Sequence, residues 1–222
     1  MSVLVAVAHP DDEVLGCGGT IARHAKHGDD VSILIVAEGA TSRRDSNRED
    51  VIHLRKCAES AAQVLNVKSP IFLSFPDNRM DSIDQLDVIK EIETHVDQIR
   101  PEIVYTHHGG DLNIDHRIVH AAVVTACRPI PGSPVRQIFS FEAASSTEWA
   151  TSAIGQPFKP VHYVDISEFL SSKLTALKCY QPEMRPFPHA RSMEAIEAQA
   201  RLRGCQVGMA AAEAFQTELD LK

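Results

Sequence analysis

The residues best suited to chemistry come early in this chain. The stretch "AHPDDE", Ala8 to Glu13, sets an imidazole and three successive carboxyls between an apolar run and the glycines Gly16, Gly18 and Gly19. His9 precedes Pro10, which biases it toward extended backbone. Its ring and the Asp12 carboxylate, three residues on, can then converge on one point while Asp11 points elsewhere. One acid is free to bind a cation and its neighbour to move a proton. The same acids would also suit the first turn of a helix, where negative charge is worth about 0.3–1 kcal/mol per residue, and the motif alone leaves both readings open.

A second polar loop, "HHGGDLNIDH" from His107 to His116, weighs toward the metal. Its D-x-N-x-D core resembles a calcium loop, but the sixth position is His116 rather than glycine and the twelfth is Ala122 rather than glutamate, which excludes that geometry. His116 at a helix start offers instead the third ligand of a two-histidine, one-carboxylate site, leaving coordination positions open as catalytic zinc sites do. His116 with His120, at i and i+4 on one helix face, is a competing pair, disfavoured because His120 lies a turn deeper. Such a ligand set also fits iron. The glycines form G-x-G-G rather than G-x-G-x-x-G, and the acids ahead of them would repel a phosphate, so close packing of the first helix explains them better than a nucleotide loop.

Both loops need a scaffold that brings strand ends together. "VLVAVA", "VSILIVA", "PIFLSF" and "EIVYTH" read as short buried strands, the third starting at Pro70 and the fourth at Glu102. Helices follow each: a tail over Thr20 to His27, a run started by a Ser46/Glu49 capping box with Val51, Leu54, Ala58, Ala61 and Leu65 on one face, another started by Ser82/Gln85, and one over His116 to Cys127. The alternation predicts an α/β, Rossmann-like, doubly wound and mostly parallel sheet with helices on both faces and its site at the strand C-terminal ends. Further on, Gln137 to Ala143 and His162 to Ile166 read as strands, and Ser167 to Tyr180 and Ser192 to Gly208 as helices, with no repeat or linker. One domain over residues 1–222 is expected.

Composition narrows the class. A net charge of −8, with no basic stripe, argues against a nucleic-acid partner. No run approaches the roughly 20 apolar residues of a membrane span, no signal peptide is evident, and a cytoplasmic location is expected. The 5 scattered cysteines suggest neither a disulfide framework nor a thiolate metal site.

With these motifs in view, the chain resembles the PIG-L/LmbE family of zinc-dependent N-deacetylases, whose signature is A-H-P-D-D-E after the first strand and a later D-H pair, here Asp115-His116. "GATSRR", "LRKCAESAAQVL", "FPDNRMDS" and the tail "RPFPHARSMEAIEAQARLRG" are also similar to family segments. The resemblance implies that His9, Asp12 and His116 hold one Zn2+, with Asp11 as general base, and that Arg55 and Asp77 contact sugar hydroxyls. Many relatives carry a histidine where this chain has Asn113, whose amide can still donate a hydrogen bond to substrate but cannot act as a cation, so His189 in the Pro-rich tail becomes the candidate to assist at the carbonyl. His107 and His108 would stand behind the ligands. The implied activity is removal of acetyl from an N-acetylglucosamine-like small molecule, with a trimer or hexamer expected by the same resemblance. A metal-dependent phosphoesterase is the alternative, weakened because only one ligand set is evident.

Overall fold

The computed structural model describes residues 1–42, 45 and 47–222. The first apolar run forms β1 (Ser2–Val7), followed by α1 (Asp12–Lys26), β2 (Asp30–Ala37), α2 (Arg48–Val64), β3 (Ile71–Phe75), α3 (Gln85–Ile99), β4 (Ile103–His107) and α4 (Ile114–Ala126). β5 (Gln137–Phe141), β6 (His162–Asp165), α5 (Leu170–Cys179), α6 (Met193–Cys205) and β7 (Ala212–Asp220) complete the chain. The sheet order is β3-β2-β1-β4-β5-β7-β6, parallel from β3 through β5 and antiparallel where β7 pairs with β5 and with β6. This is the mostly parallel α/β sheet expected. Among the described residues no helix is long and apolar enough to cross a membrane.

Alternation along β1 shows why both faces are covered. Val3, Val5 and Val7 pack into one core with residues of α1, α2, α5 and α6, while Leu4 and Ala6 pack into a second with residues of α3 and α4. A strand buried on both sides reads as the continuous apolar run that the sequence shows. The strand order reverses between β1 and β4, so the loops after these two strands open into the same crevice, the usual place for a ligand in such a sheet.

Several local expectations change. Ser46 lies outside the described residues; the cap of α2 is Asn47, whose carboxamide oxygen accepts from the backbone N–H of Glu49 (2.7 Å) and Asp50 (3.2 Å), while Asp50 accepts in return from Asn47 N–H. Asp84, not Ser82, caps α3; Ser82 closes the short 3-10 turn Met80–Ser82 by donating to the Arg79 carbonyl. β7 was not expected as a strand at all, because it alternates around a buried acid, Glu213, instead of presenting an apolar run.

Glu213 repairs a break in α1. Cys17 leaves helical backbone (φ −145°, ψ 28°), freeing groups on both sides of the kink. Glu213 accepts from Gly19 N–H at 2.9 Å and Thr20 N–H at 2.7 Å, and buried Lys173 donates to the Leu15 carbonyl at 2.9 Å and to Glu213 at 2.6 Å. The glycines serve packing: a Cβ on Gly16 would sit 2.2 Å from the Phe141 ring, and one on Gly19 2.8 Å from Ile166. Glu213→Ala would leave a buried ammonium unpaired and two N–H groups bare. A loss of about 3–5 kcal/mol in urea unfolding is expected, and a loss below about 1 kcal/mol would contradict this role for the pair.

Candidate metal centre and active site

The chain leaves β1 at Val7 and turns through His9-Pro10 into a strained position. Asp11 has φ 108° and ψ −28°, left-handed backbone that a non-glycine residue adopts only when held there. Its N–H donates to a Glu13 carboxylate oxygen at 3.1 Å, and the other Glu13 oxygen accepts from the Tyr180 hydroxyl at 2.6 Å. Burial pushes the Glu13 carboxyl up to about 7, against the Tyr180 hydrogen bond.

That turn delivers Asp12, 0% exposed, to the first position of α1. Asp12 Oδ2 accepts from His9 N–H at 2.8 Å and lies 3.2 Å from His9 Nδ1, 3.3 Å from His116 Nε2 and 3.5 Å from His107 Nε2. Burial alone would raise this carboxyl, but the surrounding rings of His116, His107 and His9 hold it well below the carboxylate range.

His116 comes from the first turn of α4, whose N-cap is Asn113, the Asn113 carboxamide oxygen accepting from Asp115 N–H at 2.9 Å. His116 Nδ1 is 3.1 Å from Asp111 Oδ1. Asp111 is fixed in turn by the Ser146 hydroxyl, by Thr147 Oγ1 at 2.6 Å and by Asn113 N–H. On the other side, His9 Nε2 lies 3.0 Å from Asp115 Oδ2 and 3.3 Å from Asp77 Oδ1. Burial favours the neutral rings, yet Asp115 and Asp12 push His9 up to about 10, and Asp12 and Asp111 push His116 up to about 9. Acids that favour a proton on these rings favour equally a cation between them.

The residues fit a metal. Among the described residues, His9, Asp12 and His116 bring one ligand atom each within 4.8 Å of one another, and so do His9, Asp77 and Asp115. Three buried atoms of the first set, Asp12 Oδ1 and both ring nitrogens of His116, have no hydrogen-bond partner, and of these His116 Nδ1 faces Asp111 Oδ1 at 3.1 Å. In the second set the acids are already engaged: Asp115 accepts from Asn78 N–H at 2.6 Å and Met80 N–H at 3.1 Å, and Asp77 from Ser42 N–H and Oγ. The orphaned atoms favour the first set, with Asp111 and Asp115 orienting its rings as carboxylates behind metal histidines do.

The remaining candidates divide. Asp11, Asp77 and Asn113 line one cavity of about 130 Å³ with His9, Glu183 and Arg191. Asp11 is buried, which raises its carboxyl well above the ordinary range, with Arg191 opposing. Arg55 lies in a neighbouring cavity of about 630 Å³, its Nη2 donating to the Leu73 carbonyl and Ser74 Oγ, each at 3.3 Å. His189 stays outside the small cavity: its Nδ1 accepts from Arg191 N–H at 3.0 Å and its ring meets Trp149 edge-on at 5.6 Å. His120 turns away to the His107 carbonyl (2.8 Å), which removes the His116/His120 pair. His107 stacks on His116 with centroids 3.8 Å apart, and His108 bonds the Gln156 carbonyl. Sequence reasoning missed Arg191, whose Nη1 is 2.8 Å from Asp11 Oδ2. It sits two residues past His189 in a loop without periodicity, and its only signal was a cation within a tail segment resembling the family's.

Residues 4–127 match the PIG-L family, described as GlcNAc-PI de-N-acetylase. The chain belongs to the PIG-L family. It is 34% identical over 183 residues to the uncharacterized deacetylase YaiS of Escherichia coli K12, covering 79% of this chain and 88% of that one. A probable N-acetyl-alpha-D-glucosaminyl L-malate deacetylase 2 of Bacillus cereus is 30% identical over 190 residues, covering 82% of this chain and 83% of the relative. The fold is also that of GalB, the 4-carboxy-2-hydroxymuconate hydratase of Pseudomonas putida KT2440, with a TM-score of 0.80 at 22% identity over 100% and 98% of the two chains. A shared fold therefore leaves the reaction to the side chains. In this PIG-L chain Asp115 holds the 78–80 turn as well as His9, so Asp115→Ala should cost about 1–3 kcal/mol for the N–H groups left bare. Thermal unfolding measures it, and an unchanged midpoint would contradict the assignment.

Proposed function

We propose that this PIG-L protein is a zinc-dependent N-deacetylase that hydrolyses the acetamide of an N-acetylglucosamine-like sugar to acetate and a free amine. The observation that carries the reading is an open two-histidine, one-carboxylate set, with orphaned Asp12 Oδ1 and His116 Nε2, standing beside a second buried carboxylate that is not part of it. The relatives named above support the acyl group and the sugar.

His9, Asp12 and His116 would hold the ion. Bound there, zinc supplies a Lewis acid that brings the pKa of a water toward about 7 and polarises a carbonyl oxygen. Asp11 lines a cavity together with His9 and takes the proton of the attacking water. As the C–N bond breaks, the protonated Asp11 returns that proton to the departing nitrogen, giving acetic acid and a neutral amine, which separate as acetate and an ammonium once the acid's proton passes to the amine. The cavity's 130 Å³ is well above the roughly 10–15 Å³ that one water needs, room for the acetamide with the sugar ring at the rim. Asp77 and Asn78 supply polar atoms at that rim. Asn113 anchors α4 and donates to Asn78 Oδ1 at 3.0 Å, so it acts as part of the wall.

Free-amine release from N-acetylglucosamine and diacetylchitobiose tests the reading, with zinc content measured on the same samples. Wild type should release amine and stop on treatment with a chelator. Asp11→Asn should keep its zinc and lose about 10²–10⁴-fold in kcat, whereas His116→Ala should lose the zinc itself. Full activity in Asp11→Asn would remove that residue from the reaction, and a zinc-loaded wild type that releases no amine would overturn the reading.

A further inference from the structure

The family match ends at residue 127, and two residues that brace Asp11, Tyr180 through Glu13 and Arg191 directly, come from beyond it. The Asp11 N–H is held by Glu13, which Tyr180 fixes from the end of α5, and the carboxylate is held by Arg191 from the loop before α6. Arg191 is itself pinned. Its Nε donates to Ser145 Oγ at 2.7 Å and lies 3.4 Å from the Ala144 carbonyl. Its guanidinium also lies within 4.0 Å of Glu183. Among the described residues that line the small cavity, it is the single lysine or arginine.

The segment that pins Arg191 also holds the far side of the site. Ser146 and Thr147, next to Ser145, carry the hydroxyls that fix Asp111, the acid behind His116. Glu148 ties the segment together by accepting from Ser145 N–H at 2.6 Å and Ser146 N–H at 3.2 Å. One short loop thus indexes both the His116 ring, through Asp111, and the cation on Asp11.

We infer that Arg191 is a positioning residue for Asp11: the guanidinium occupies Oδ2 so that Oδ1 is presented to the reacting water, in register with His116 through the Ser145–Thr147 loop. The inference rests on Asp11 as the base in the deacetylase reading. Among the described residues that line this cavity, no other lysine or arginine is within reach of this carboxylate at the end of a strained turn, and a displacement of about 1 Å in a reacting group costs on the order of 10²-fold in rate. Two plainer roles make different demands. A cation that only neutralises a buried acid alters stability and leaves turnover alone; one that binds the sugar raises KM and leaves kcat alone.

The test combines kinetics with a measurement that needs no turnover. In metal-free protein, Arg191→Met should lower the thermal midpoint by several degrees, and Asp11→Asn/Arg191→Met should recover most of the loss, because the buried acid no longer lacks its partner. In zinc-loaded enzyme, Arg191→Met should keep its zinc, lose about 10²-fold in kcat and hold KM within about threefold. Arg191→Lys, which keeps the charge without the planar fork, should fall between, and millimolar methylguanidinium should restore part of the Arg191→Met rate. A kcat within about threefold of an active wild type, or a loss carried wholly by KM, overturns the positioning role. Absence of coupling between the two substitutions in unfolding overturns it as well. A zinc-loaded wild type without turnover overturns instead the deacetylase reading beneath it.

Discussion

A carboxylate with no access to water, Asp12, sits under three imidazoles, and the architecture around it follows from that one burial. An acid in such a place must be paired or it would not stay ionised. The rings that pair it must themselves be turned the right way, and this chain does so with a further tier of acids: Asp115 and Asp77 at His9, Asp111 at His116. Those acids are then fixed by backbone N–H groups at residues 78, 80 and 113 and by the hydroxyls of Ser42, Ser146 and Thr147. Polar groups this deep are tolerated because nearly every one is spoken for. Among the exceptions in the described residues are Asp12 Oδ1 and His116 Nε2, the atoms a cation would take.

Topology places this network where two halves of the chain can contribute. β1 and β4 are neighbours at the reversal of strand order, so the turn after the first strand and the loop after the fourth meet although about a hundred residues separate them. The break in α1 at Cys17, closed by Glu213 and Lys173, lets the first turn of that helix keep its own direction while the rest packs on the sheet. β7 and α5 thereby reach back to the segment that carries Asp11 and Asp12.

What the sequence disclosed and what it hid follow the range of the interactions. His9 and Asp12 were legible because a proline and a three-residue spacing bring them together locally, and His116 because its loop carries so many ligating side chains. The parallel strands were legible because burial on both faces leaves a continuous apolar run. Arg191 was hidden, since its partner is 180 residues away and no local pattern marks the contact. β7 was hidden for the same kind of reason: its buried acid Glu213, at the start of the strand, makes sense only against Lys173 and the kink in α1. The cap of α2 illustrates a smaller limit, because adjacent Ser46 and Asn47 both satisfy a capping pattern and the structure uses Asn47.

The account stands or falls on which of the two overlapping His/Asp sets takes the ion, since both contain His9. Diffraction at the zinc absorption edge from crystals grown with zinc decides it directly. One anomalous peak bonded by His9, Asp12 and His116, with Asp11 within hydrogen-bond reach of a water beside it, is the result predicted. A peak held by His9 with Asp77 and Asp115, leaving Asp12 and His116 bare, would contradict the assignment of ligands and base together.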